Sequence, residues 1–302
     1  MNHSAFQEQL SLFSSEAISI IENAKKQSGR LDSRQIDELC HILELSPDGL
    51  LKALMPLVAT MSTCPVSGFS VGAIVEGYRE NQQGPFYFGA NLEVPGQPLK
   101  MTIHAEQSAI ANAWHQGEKR LRRLYVNEAP CGHCRQFMNE LNEVDKMKFV
   151  IQQIGKDKQK VYEMSDLLPD SFGPADLEQA DRLLSANTET LVSPLINDDL
   201  VNAATTASGN SYAPYSKCLS GIALKLENGD MIMGQYAENA AFNPGLTAME
   251  AALVNLRLNH LGKPESRIID AVMVEKASIT SHKASAQSIL SAYGAELRYY
   301  EV

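Results

Sequence analysis

His104-Ala105-Glu106 and, further along, Pro130-Cys131-Gly132-His133-Cys134 place one imidazole, two thiols and a carboxylate in two short stretches of the chain. Imidazole and thiolate are donors that zinc prefers, and three protein donors leave the fourth tetrahedral position open to water. Glu106, one step past Ala105, is then the carboxylate that can move a proton of that water without binding the metal. His104 falls where a loop becomes a helix, and Cys131 and Cys134 fall at the start of another. The partial positive charge of a helix N-terminus helps to hold two cysteines as thiolates. His104, Cys131 and Cys134 are therefore the candidate metal ligands, Glu106 the candidate catalytic acid and base, and the chemistry is metal-assisted hydrolysis. Two other readings share these residues. A structural zinc site would need a fourth ligand, for which His133, His115 and Cys64 are available. A Cys-x-x-Cys pair could also serve thiol–disulfide exchange, but Pro130 stands where the disulfide isomerases carry tryptophan.

The chain has 302 residues, 44% of them apolar and 21% charged, which describes an ordinary globular protein with room for two domains. Its net charge of −10 argues against a nucleic-acid partner, since such partners are held by neutralising phosphates. The dense basic run Lys119, Arg120, Arg122 and Arg123 reads as a solvated helix end after Gly117. Five cysteines, an odd number without framework spacing, suit a reducing cytoplasm. Met1 to Phe6 has neither a basic nor an apolar segment of the secretory kind, and no apolar run approaches membrane-spanning length.

Apolar residues recur at helical spacing through Phe6, Leu10, Phe13, Ile18 and Ile21, and again through Ile36, Leu39, Ile42 and Leu43, so residues 1–46 read as a small helical extension. Ser46-Pro47-Asp48 starts a helix that Pro56 should kink or restart. Val71–Val75 and Phe86–Ala90 suit the strands of a hairpin, Ala105–Trp114 a helix, Leu124–Val126 a buried strand and Cys134–Leu141 a helix. The order is that of an α/β layer structure. The second half repeats the first weakly. Ala213-Pro214-Tyr215-Ser216-Lys217-Cys218 lines up with Cys64-Pro65-Val66-Ser67-Gly68-Phe69, Asn239 falls opposite Asn91, and Ala248-Met249-Glu250 falls opposite His104-Ala105-Glu106. Ile279 stands roughly at the place of Cys131. A duplicated fold whose second copy has lost its metal follows, with a catalytic domain at 47–171, a linker at 172–189 and a degenerate domain at 190–302.

The His-x-Glu and Pro-Cys-x-x-Cys pattern is the signature of the zinc deaminases. Longer stretches resemble one branch in particular: Phe88-Gly89-Ala90-Asn91-Leu92-Glu93, His104 to Ile110, and Pro130 to Met138 look like cytidine deaminase. The length and the degenerate second half are similar to its long-chain, homodimeric bacterial form. The resemblance implies a three-layer α/β/α core present twice, one zinc per chain held by His104, Cys131 and Cys134, and Glu106 as proton shuttle. It implies that Asn91 and Glu93 hold the ribose 3′-hydroxyl, that Phe69 packs on the pyrimidine with Ala105 beside it, and that Phe172 closes the other side. The expected reaction is hydrolytic deamination of cytidine and deoxycytidine in cytoplasmic pyrimidine salvage, by a homodimer with a small nucleoside substrate and neither nucleic-acid nor membrane partner. A deaminase of nucleotides or polynucleotides, and a zinc-stabilised interaction module, are the alternatives. Glu93 beside the sugar opposes the nucleotide, because it would repel a phosphate.

Overall fold

The computed structural model describes residues 3–185, 188–195, 197–259 and 266–302. Met1 and Asn2, and residues 186 and 187 of the expected linker, lie outside them. The N-terminal region builds helices α1 (His3–Leu10), α2 (Ser15–Lys26), α3 (Ser33–Leu43) and α4 (Pro47–Ala59). Each start after the first has a side-chain cap: Ser14 receives the Ala17 N–H, Asp32 that of Gln35, and Ser46 that of Gly49. Helix α4 runs through Pro56 as one element, against the expectation of a restart. Only its last residues lie beyond the proline, where one missing N–H costs least, and buried Leu54, Met55, Leu57 and Val58 hold the helix in place. A short strand, β1 (Arg30–Leu31), lies between α2 and α3. Two residues are too few to show an alternating pattern, so a purely helical reading of this region misses it.

The first sheet continues with β2 (Gly72–Gly77), β3 (Phe86–Ala90), β4 (Leu121–Val126), β5 (Lys148–Ile151) and β6 (Lys160–Tyr162). Its order is β1-β3-β2-β4-β5-β6, with β4 and β5 parallel and the other pairs antiparallel. Helices α5 (Ala105–His115), α6 (Gly132–Met138) and the short α7 (Met164–Leu167) complete the first half. Two glycines show how the layers form. A Cβ on Gly72 would come within 2.7 Å of the Ala59 nitrogen in α4, and one on Gly89 within 2.1 Å of the Ala109 nitrogen in α5. Gly89 pairs with Ala73 and so faces the side opposite Gly72. One helix therefore presses on each face, giving the expected three-layer α/β/α arrangement. The basic run belongs to β4 and the turn before it, not to a helix end, which corrects the sequence reading. Arg122 and Arg123 pair with the buried Glu76 of β2, and Arg120 pairs with Glu143.

The second half contains α8 (Asp199–Gly209), β7 (Ser220–Leu226), β8 (Met231–Gln235), α9 (Ala248–Asn259), β9 (Ile268–Glu275), α10 (Lys283–Ala292) and β10 (Arg298–Glu301). Its sheet order, β8-β7-β9-β10, is that of β3-β2-β4-β5. The repetition extends to single contacts. Gly221 meets the backbone of α8 and Gly234 that of α9, as Gly72 and Gly89 meet α4 and α5. The side-chain amides of Asn112 and Asn255 both donate across to the hairpin, to Phe88 O and Met233 O. Helices α5 and α9 pack on each other where the halves meet, so α5 is covered on every side and its residues 105–114 are all buried.

This geometry corrects the register of the repeat. The bridge Leu92–Ile103 has its counterpart in Ala237–Leu246, so Asn91 corresponds to Tyr236 and Glu93 to Glu238. Asn239 therefore does not stand opposite Asn91. Helix α5 begins at Ala105 and α9 at Ala248, so Thr247 takes the place of His104 and Met249 that of Glu106. Cys131 caps α6 while His282 caps α10, and Ile279 lies fully exposed in a longer preceding loop. Loop-length differences shift the alignment along the sequence, and only strand pairing removes them.

Candidate metal centre

Helix geometry brings the donors together. Cys131 is the N-cap of α6 and Cys134 lies in its first turn, so both sulfurs occupy one face. His104 is the N-cap of α5. Its Nδ1 lies 3.5 Å from Cys131 Sγ and 3.2 Å from Cys134 Sγ, and the two sulfurs are 3.7 Å apart. A tetrahedron with Zn–S near 2.3 Å and Zn–N near 2.0 Å has edges of about 3.5–3.8 Å. The two contacts of Cys131 match these edges and the His104–Cys134 contact is about 0.3 Å short, so the donor set fits zinc after a small shift. Among the described residues this metal-type cluster has three members and no fourth. His133 stacks flat on His104, ring centroids 5.2 Å apart and 6° from parallel. Cys64 Sγ lies by the hydroxyls of Ser62 and Ser70. His115 is at the far end of α5, about 16 Å along the axis from His104 at ~1.5 Å per residue. None of the fourth ligands considered for a structural site joins the cluster.

Charge is arranged for the same purpose. Hydrogen bonds from Cys134 and His104 pull the Cys131 thiol down to about 3. Its thiolate partner Cys131 and burial together push the Cys134 thiol up. Glu106, 4% exposed, is held above the ordinary carboxylate range by burial, against the opposing effect of hydrogen bonds from its own backbone and from Cys134. A carboxyl poised in this way can both accept and return a proton.

Of the candidate substrate residues, Asn91 and Glu93 follow β3 and bond to the loop that carries Phe69. Asn91 accepts the Val71 N–H at 2.8 Å and donates to Phe69 O at 3.0 Å. Glu93, buried, accepts the N–H groups of Val66 and Ser67 at 2.7 and 3.0 Å. Burial alone would raise the Glu93 carboxyl, but these bonds outweigh it and hold the group below its usual value. Phe69 and Phe172 are 56% and 48% exposed, which rules them out as core aromatics. The carbonyl of Phe172 receives the side-chain amides of Gln136 and Asn139, on and just beyond α6. Ala105 is buried in the first turn of α5.

Other supporting residues carry little signal in the sequence. Gln107 accepts the backbone N–H of His104, and its position three residues after a helix cap is the one clue available. Asn127 joins Gly72 N to Ser70 O, and Arg135 ties Pro130 O to Leu167 O. A second group of metal-type donors, Cys218, Glu275 and His282, lies in the second half. Two of its members are bonded to protein: Glu275 accepts from Ser281 Oγ at 2.7 Å and His282 N at 2.8 Å, and the Cys218 thiol donates to Thr280 O.

Comparison with known proteins matches the "Cytidine and deoxycytidylate deaminase zinc-binding region" to this chain twice, over residues 48–151 and 164–287. A cytidine deaminase of Haemophilus influenzae is 45% identical over 276 residues, covering 91% of this chain and 90% of the relative. Those of Photobacterium profundum and Proteus mirabilis are 42% and 41% identical, covering 88% and 87% of this chain and 87% and 85% of the relatives.

Proposed function

This chain belongs to the cytidine deaminase family, in its long-chain bacterial form, and we propose that its first half, residues 47–171, carries the whole of the chemistry while the second half, 190–302, is a degenerate copy reached through 172–189. The enzyme is a zinc-dependent hydrolase that deaminates cytidine. His104, Cys131 and Cys134 would hold the ion, which polarises the attacking water. Glu106 takes a proton from that water as oxygen adds to the C4 carbon of the pyrimidine. It gives that proton to ring N3, then takes the remaining proton of the added hydroxyl as the C4 carbonyl forms and passes it to the departing amine, so that cytidine and water become uridine and ammonia.

Asn91 and Glu93 retain a complementary valence once their loop bonds are counted. Asn91 has one N–H to spare and Glu93 has free lone pairs, which suit a single sugar hydroxyl that accepts from one and donates to the other. On this reading deoxycytidine, which keeps the 3′-hydroxyl, is also a substrate. The faces of Phe69 and Phe172 suit a flat base, with Ala105 at its edge. The acidic surface and Glu93 favour the free nucleoside over nucleotides and nucleic acid. Among the described residues no helix is long and apolar enough to cross a membrane. We take the working form to be a cytoplasmic homodimer acting in pyrimidine salvage.

The observation that carries this reading is the three-donor tetrahedral edge set with the buried carboxyl of Glu106 beside it. Zinc analysis combined with loss of cytosine absorbance on incubation with cytidine, deoxycytidine and CMP tests it. One catalytic zinc per chain and turnover of both nucleosides, with little on CMP, is expected. Protein lacking zinc, or turning over CMP as fast as cytidine, would overturn it.

A further inference from the structure

Glu140 is fully buried, two residues beyond α6, and three donors from the second half converge on its carboxylate. The hydroxyl of Tyr212 lies at 2.7 Å, the backbone N–H of Ala240 at 2.9 Å, and the hydroxyl of Tyr215 completes the set. A buried carboxylate without adequate partners is costly, so three converging donors are the condition for its being there. Burial and the adjacent Glu140 hold both phenols above their ordinary value, which keeps them protonated as donors.

The same loop of the second half is gripped at two further points. Asn239 donates to Gln136 O at 2.9 Å, and the Gln136 amide reaches back to Asn239 Oδ1 at 3.4 Å. Gln107, whose Oε1 receives the backbone N–H of His104, donates through Nε2 to Pro244 O at 3.3 Å. Residues 239–244 are thus held at both ends and near the start by side chains that flank the zinc donors of their own chain. Between these points the loop turns through Phe242, at φ +62° and 70% exposed, with its ring edge-on to Tyr215. All of these anchors lie within one chain.

We propose that Glu140 is a positioning residue for the deamination. It fixes where the loop of the non-catalytic half stands relative to α6 and the zinc donors, and so governs how tightly the nucleoside is gripped. This rests on the deaminase reading above. Glu140→Gln keeps the shape but turns an amide N–H toward a set of donors, and should raise KM for cytidine about tenfold, the loss expected when one charge-assisted buried bond is broken. The change in kcat should stay within about threefold, with zinc retained. Backbone amides of residues 240–242 should exchange with solvent faster. Tyr215→Phe should give a smaller rise in KM, and adding it to Glu140→Gln should give no further rise, because both remove one contact. Val272→Ala, in the apolar cluster beneath α8, is the control: it should lower Tm and leave KM unchanged. Wild-type KM in Glu140→Gln, or a KM that moves equally in the Val272 control, would overturn the proposal, as would loss of zinc, which would place the effect at the metal. Should Glu140→Gln fail to fold, Tyr215→Phe alone decides by the same two readouts. If the wild-type protein does not deaminate cytidine, the deaminase reading has failed, and amide exchange in Glu140→Gln still judges the contact: unchanged exchange rejects it.

Discussion

The two halves share several bonds of a common frame and differ in the side chains at the metal-type site. Glu93 clamps the Val66–Ser67 backbone, and Glu238 clamps the equivalent Tyr215–Ser216 backbone. Ser67 and Ser216 each receive the N–H two residues on, from Phe69 and Cys218. Gly68 and Lys217 both adopt positive φ at the same point of the turn. Yet Thr247, Met249 and His282 stand where the first half has His104, Glu106 and Cys131, and Tyr236 replaces Asn91. The difference teaches that the loop clamp and the close-packed glycines are scaffold, while the proposed chemistry is assigned to side chains that the second copy of the scaffold does without. It also qualifies Glu93: a clamp present in both halves is structural first, and any role at the sugar comes from the lone pairs left over.

Replacing first-half residues tests this division, beginning with the proton carrier. Glu106→Ala should lower kcat by ~10²–10⁴ or more while zinc content and Tm remain near wild type, because the carboxyl moves protons and neither binds metal nor supports the fold. Metal loss in that variant would make Glu106 a ligand and blur the distinction between chemistry and scaffold. A smaller effect is expected at Asn91. Wild-type enzyme should prefer cytidine over 3′-deoxycytidine by about tenfold or more in kcat/KM, and Asn91→Ala should remove most of the preference, with Glu93 retaining the rest. A variant that is slower on both substrates but still discriminates as fully as wild type would show that Asn91 serves only the Phe69 loop.

The smallest effect concerns stability. His115 ends α5, where the second half carries the buried Leu258, and burial pulls its imidazole from an ordinary 6.5 down to about 4. Because the folded value lies below the unfolded one, the contribution is fully present above pH 6.5 and is lost as pH falls toward about 4. The difference amounts to at most about 3.5 kcal/mol at ~1.4 kcal/mol per unit. Urea midpoints across that window should fall less steeply for His115→Leu than for wild type. Parallel curves would mean that the acid sensitivity lies elsewhere.

Much of the centre was legible because it is local. A cysteine at a helix cap and another in the first turn must share a face, and a histidine at a cap presents the residues just after it at the same end. The hairpin, the cap at Ser46, and the existence of a repeat could likewise be read from short patterns. Three things could not. The register of the repeat depended on loop lengths, so Asn239 and Ala248 were placed against the wrong partners. The strand at Arg30–Leu31 was too short to have a period. The basic run looked solvated because Glu76, its partner, is far away in sequence.

The sequence by itself determined the metal, the candidate proton carrier and the two-copy plan, since each rests on residue types at spacings that one helical turn or one strand converts directly into geometry. Only the tertiary structure decided that Glu140, Gln107 and Gln136 hold a loop of the non-catalytic half beside the zinc donors. Those bonds join residues roughly a hundred positions apart, and their partners are ordinary tyrosines, amides and backbone groups. Nothing in a linear pattern distinguishes such groups from solvated ones until the packing of α5 on α9 removes the water between them.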